Sequence, residues 1–119
     1  MVHNVLFLTE RSPRHQQAAL ASAPPDLAIV MLRHPPRDQL LRAVSEAEFL
    51  ISERSGAVDA ELITAAPRLR LIQRLGSLTY DIDMAAAQRA GVAVCFWPIR
   101  GCILVAEHLI MQLLALAKR

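Results

Sequence analysis

The sequence predicts an α/β domain built on a parallel sheet, and three observations carry that reading. Short apolar runs alternate with helical patterns five times along the chain. Runs of the type AIVM, FLIS, LRLI and VAVC are apolar at successive positions, as strands covered on both faces must be. Proline and glycine punctuate the joints, at Pro13, Pro24-Pro25, Pro35-Pro36, Pro67 and Gly91.

The elements follow in order. Residues 5–8 form a first strand of bulky apolar side chains, closed by Ser12-Pro13. A weak helical pattern over 14–22 uses Ala18, Ala19 and Leu20 and ends before the Pro24-Pro25 pair. Residues 27–32 are a second strand. Leu40, Leu41, Val44 and Ala47 recur on one face of a helix expected over 37–47. Residues 49–52 are a third strand. Asp59 is placed to cap a helix over 60–66, which Pro67 ends. A fourth strand covers 69–73. Asp81 or Asp83 caps a helix running to Ala90, and Gly91 stops it. Residues 92–96 are a fifth strand, and a last helix, apolar on nearly every side, is expected over 105–117.

The order is βαβαβαβαβα. Right-handed crossovers turn it into an open, doubly wound sheet of five parallel strands with helices on both faces. The flavodoxin-like strand order 2-1-3-4-5 suits that count. The 119 residues make one domain, over 1–119, large enough to bury about 65% of its unfolded surface.

Composition narrows the function. Thirteen basic against eleven acidic side chains leave a net charge of +2, too even for a nucleic-acid or acidic-membrane binder. Few aromatics argue against base stacking. Cys95 and Cys102 form no Cys-x-x-Cys, and His3, His15, His34 and His108 share no ligand spacing, so neither a redox motif nor a metal site is expected. Two reduced thiols suit a cytoplasmic protein. The start has no basic stretch or cleavage site of a signal peptide, and the last helix, at about 15 residues with Glu107, His108 and Gln112, is expected to be too short and polar to cross a bilayer.

Ligands of such sheets bind beyond the carboxyl ends of the strands. The loops there are Thr9-Glu10-Arg11-Ser12, Arg33-His34, Glu53-Arg54-Ser55-Gly56, Arg74-Leu75-Gly76-Ser77 and Trp97-Pro98-Ile99-Arg100-Gly101. Two suit an anion. Gly76 allows a sharp bend, so that the amides of Leu75, Gly76 and Ser77 can point at a carboxylate. Arg54 and Ser55 on the neighbouring loop add a charge and a hydroxyl. The ordinary reading of Arg54, Arg74 and Arg100 is a solvated surface charge. Glu107 and His108 are adjacent on a helix and do not face one site, so His108 is read as packing. Gly56, Gly76, Gly91 and Gly101 cannot build a G-x-G-x-x-G or a P-loop, and no nucleophile elbow is present.

The stretch from Leu69 onward carries Leu69-Arg70-Leu71-Ile72, Gly76, Tyr80-Asp81-Ile82-Asp83, Ala86-Ala87, Gly91-Val92-Ala93-Val94 and Val105-Ala106-Glu107-His108. In this order and spacing the chain resembles the N-terminal, substrate-binding domain of the D-2-hydroxyacid dehydrogenases, nearest their phosphoglycerate, glycerate or glyoxylate/hydroxypyruvate branch. The resemblance implies an oxidoreductase that transfers hydride between NAD or NADP and a small 2-hydroxy or 2-keto acid. It implies that Arg54, Ser55, Leu75, Gly76 and Ser77 hold the substrate, and that the helix over 105–117 crosses to a cofactor domain and helps form a homodimer. The family's catalytic arginine, glutamate and histidine, and its dinucleotide site, have no counterpart here. The chain is therefore expected to be an inactive piece of a larger enzyme, without catalytic or cofactor-binding residues of its own. Phe96-Trp97-Pro98 and Gly101-Cys102 stand where the family carries an Asn-containing turn, and Leu104 where Ser or Thr is usual.

A second reading is a free-standing flavodoxin-like module for protein contacts or anion sensing. In either case the greasy last helix is expected to fold back over the sheet or to be exchanged with a second copy.

Overall fold

The computed structural model describes every residue except Arg54, Pro98 and Arg119. The strands are β1 (His3–Leu8), β2 (Leu27–Leu32), β3 (Phe49–Ser52), β4 (Leu71–Arg74) and β5 (Ala93–Cys95). Between and after them lie α1 (Pro13–Ala21), α2 (Arg37–Ser45), α3 (Ala60–Thr64), α4 (Met84–Arg89) and α5 (Arg100–Ala117). The five strands are all parallel and run β2-β1-β3-β4-β5, the expected order.

Residues aligned across the strands share a face of the pleat. Register places Leu6 beside Leu50 and Val30, Leu50 beside Ile72, and Ile72 beside Val94. Leu6, Leu8, Leu50 and Ile72, with Val94 packed against them, meet Val44 of α2, Leu62 and Ile63 of α3, and Ala86 and Ala87 of α4 in one hydrophobic core, while Val30 at the sheet edge stays 54% exposed. Asp59 caps α3 by accepting from the Leu62 N–H at 2.9 Å. Asp83, rather than Asp81, caps α4 through the Ala86 N–H at 2.8 Å. Arg37 at the start of α2 ties itself to Asp59 at 2.7 Å and to Glu61 at 2.5 Å, so the first turns of α2 and α3 are pinned together.

The last helix departs from expectation. It spans 18 residues, beginning at Arg100 rather than Val105, because Gly101-Cys102-Ile103-Leu104 continue the helix instead of forming a turn. At that length and with a mean hydropathy of 1.5 it meets the length and composition of a membrane-crossing helix, which corrects the expectation that it is too short and polar. It does not fold back over the sheet. None of its residues is buried, and the molecule is drawn out to 59 Å along its long axis.

Candidate functional site

The carboxyl ends of β3 and β4 come together at one rim, and their loops are held as a pair. Ser52 and Arg74 are register partners at the ends of the two strands. The Leu75 N–H donates to the Ser52 carbonyl at 2.9 Å, extending the ladder one residue past β4. Gly76 then bends with φ +154°, on the positive side where a side chain brings strain. Its carbonyl accepts from the Trp97 N–H at 3.0 Å, which links the loop after β5 to the same bend. Farther out, Val58 and Ile82 form an isolated parallel bridge, with the Val58 N–H on the Asp81 carbonyl at 2.8 Å and the Asp83 N–H on the Val58 carbonyl at 2.9 Å.

Of the expected site residues, Gly76 and Ser77 lie at this bend and Ser55 lies on the facing loop. Arg54 is outside the described residues. The Gly76 N–H makes no hydrogen bond to a described residue, whereas that of Leu75 is engaged by Ser52. The amides therefore differ: the ladder occupies that of Leu75, and that of Gly76 stays outside it.

Arg74 corrects the sequence expectation most sharply. Expected as a solvated charge, it is fully buried beneath the bend, at 0% exposure. Its Nη2 donates to Asp81 Oδ1 at 2.5 Å, while its Nε and Nη1 find no partner among the described residues. The Ser52 and Ser55 hydroxyls are likewise buried without a partner among the described residues. Unpaired buried donors are costly and native structures keep few of them. Ser52 and Arg74, register neighbours and one of them cationic, thus leave donors at the rim without a described acceptor. The signal was present in the sequence: Ile72 and Arg74 alternate onto the same face of a strand, and Asp81 follows seven residues later.

A second group borders this rim. Buried Thr9 donates its hydroxyl to Glu53, and Arg11 Nε donates to the other oxygen of that carboxylate at 2.8 Å. Glu53 thereby anchors the root of the loop that carries Arg54 and Ser55. A cleft of about 480 Å³ opens beside it, walled by Arg11, His15, Glu53, Leu75 and Trp97. Sequence reading did not single out Arg11 or Glu53, because their pairing joins segments 42 residues apart. Among the described residues no group of His, Cys, Asp or Glu is arranged to hold a metal. Nor do the glycines fit a dinucleotide: Gly56 and Gly76 belong to loops of different strands, Gly91 follows α4, and Gly101 lies within α5.

Comparison with known proteins agrees with the geometry. Residues 5–112 match the D-isomer specific 2-hydroxyacid dehydrogenase, catalytic domain. The D-3-phosphoglycerate dehydrogenase of Mycobacterium bovis is 39% identical over 85 residues, 71% of this chain and 16% of its own length. The glyoxylate reductase of Pyrococcus furiosus is 33% identical over 86 residues, 72% of this chain and 26% of its own. The chain thus spans about a sixth to a quarter of the length of these relatives. An NAD-dependent formate dehydrogenase from Staphylococcus aureus, solved in complex with NAD, superposes with a TM-score of 0.74 over 92% of this chain and 37% of that one. At 19% identity that likeness shows the fold alone. A match over 108 of 119 residues, on a sheet of the expected order, establishes that the chain belongs to the D-isomer specific 2-hydroxyacid dehydrogenase family, within its catalytic domain.

Proposed function

We propose that this chain is the substrate-gripping domain of an NAD- or NADP-dependent D-2-hydroxyacid dehydrogenase. The ligand is a small 2-hydroxy or 2-keto acid. Its carboxylate sits against the Gly76 and Ser77 bend, with Leu75 and Ser55 as further contacts and Arg54, which lies outside the described residues, as the candidate charge from the sequence. The observation that carries this reading is the buried Arg74 guanidinium, with two nitrogens unpartnered directly under that bend. It supplies a positive potential, offset in part by the Asp81 carboxylate and little screened by water, which favours an anion at the rim. The bend and the Arg54-Ser55 loop then orient the acid so that its C2 is presented in one direction.

The overall reaction assigned to the parent enzyme takes a hydride from C2 and a proton from the hydroxyl, leaving a 2-keto acid. No described segment of this chain fits the pyrophosphate of a dinucleotide, so hydride transfer requires the cofactor domain as a partner. The chain alone binds and does not react. In this reading it is a cytoplasmic protein and a homodimer, with exchange of the C-terminal helix as one way to pair, and with neither nucleic acid nor membrane as a partner. The free-standing interaction module is the second reading, favoured by the exposed α5.

Titration of the ¹⁵N-labelled chain with glyoxylate, glycerate and 3-phosphoglycerate tests the grip. The Gly76 and Ser77 amide resonances are expected to move first and together. Resonances that stay in place at saturating acid, or that move only around Arg11 and His15, refute it.

A further inference from the structure

The rim carries a negative charge that the acid grip does not use. Glu53 follows Ser52, and Leu75 follows Arg74, each one residue beyond a register pair of β3 and β4. Both wall the cleft of about 480 Å³. With strands about 4.8 Å apart and about 3.3 Å per residue, Glu53 stands roughly 6 Å from Gly76 across the rim. That lies inside the Debye length of about 8 Å at physiological salt. An acid held at the bend therefore feels this carboxylate.

Glu53 is fixed in place. Its side chain is 11% exposed. Thr9 Oγ1 accepts from the Arg11 backbone N–H at 3.1 Å and directs its own hydrogen at Glu53 Oε2. Arg11 Nε donates to Oε1 at 2.8 Å. The Gln16 side chain of α1 donates to the Arg11 carbonyl at 2.8 Å and braces the segment from behind. Arg11 itself is 63% exposed, so water screens the cation more than the carboxylate. The pair engages Arg11 and leaves the deeper, less screened negative charge beside the bend.

The charges at the rim then match one anionic group and no more. Arg74 lies under the bend, paired with Asp81. Arg54, next in sequence to Glu53, is the cation that the carboxylate reading already uses. His15, also on the cleft, is engaged by Ser12 through Nδ1 at 2.8 Å. A second anionic group meets Glu53, with no unpaired arginine or lysine among the described residues that wall the cleft. The walls nearest the bend, Leu75 and Trp97, are apolar and suit an uncharged substituent. We infer that Glu53 is a specificity-determining residue that closes the rim to a second negative charge. The acid accepted is a monoanion such as glyoxylate or glycerate, rather than a phosphorylated or dicarboxylic acid. This rests on the carboxylate reading and deepens it by naming the substrate class. At an effective dielectric of about 20, like unit charges roughly 6–8 Å apart change a binding constant by roughly 30–100-fold, which the Arg11 partner reduces to about tenfold.

Titrations of the ¹⁵N-labelled full chain with glycerate and with 3-phosphoglycerate at pH 7, read at the Gly76 and Ser77 amides, test this. The unaltered chain is expected to bind 3-phosphoglycerate about tenfold more weakly than glycerate. Glu53→Gln keeps the shape and removes the charge, and is expected to bring the two dissociation constants within about threefold of each other. Glu48→Gln makes the same change in net charge just before β3, at the amino ends of the strands, and is expected to leave their ratio as it was. Arg11→Met leaves Glu53 unopposed and is expected to widen the ratio by about threefold; it decides the matter should circular dichroism show Glu53→Gln unfolded. Equal or tighter binding of 3-phosphoglycerate by the unaltered chain overturns the inference while the carboxylate reading stands. So does a Glu53→Gln chain that weakens on both acids alike, which marks the residue as a loop anchor only, or a ratio that Glu48→Gln moves as far. Amides that neither acid moves overturn the carboxylate reading, and this inference with it.

Discussion

Replacing Asp81 by alanine removes the sole hydrogen-bonding partner that the described residues provide for a fully buried guanidinium. Arg74 Nε and Nη1 already lack acceptors, so the substitution leaves the whole group uncompensated. Breaking a buried ion pair from one side costs about 3–5 kcal/mol. Arg74→Met is the control. It removes the charge, keeps an apolar stem in the same space, and leaves Asp81, whose side chain is 14% exposed, within reach of water; its cost is about 1–2 kcal/mol. In urea unfolding followed by circular dichroism at pH 7, with m about 1.5 kcal/mol/M, Asp81→Ala lowers the midpoint by roughly 2–3 M and Arg74→Met by about 1 M. The order matters more than either size. If Arg74→Met costs as much as Asp81→Ala or more, the guanidinium is not desolvated under the bend, and the positive potential assigned to the rim fails with it.

Three further outcomes follow from the same geometry. Gly76→Ala meets only the Arg74 Cδ, at 3.7 Å, so no clash arises; backbone strain at φ +154° costs about 1–3 kcal/mol in the same unfolding assay and blunts the amide shifts on acid titration. Asp59→Ala removes the α3 cap and the Arg37 pair, and is expected to cost about 1–2 kcal/mol, while Glu61→Gln, which leaves the cap in place, costs less than half of that. The Asp59 carboxyl is held below its usual 3.8 by the Arg37 side chain first and the Leu62 N–H second. A lowered folded-state value means that its stabilisation is complete above pH 3.8 and is lost as the pH falls through the lower folded value, so the acid limb of a pH–stability curve should flatten in Asp59→Ala.

The sheet was legible because its strands are written in residues apolar at successive positions, and β2 and β3 end where their apolar runs end. Asp59 as a cap was legible because capping is local. Two things were not. The burial of Arg74 depends on a partner across a loop, and composition treats every arginine alike. The course of α5 depends on surfaces outside its own sequence: the apolar pattern states that something must cover it, and says nothing of what. The rim itself divided in the same way. The Gly76 bend is written in one residue, while the Thr9, Arg11 and Glu53 anchor exists only once β1 and β3 are neighbours.

The Val58–Ile82 bridge fixes where this fold tolerates new length. It ties residues 58 and 82 so closely that an insertion on the inner side, between Ser55 and Val58, has to push one strap past the other. Between Leu78 and Tyr80 the chain is beyond the tie, with Tyr80 77% exposed. New length is therefore open to grafts at the tip over 78–80, and closed in the span of the opposite loop.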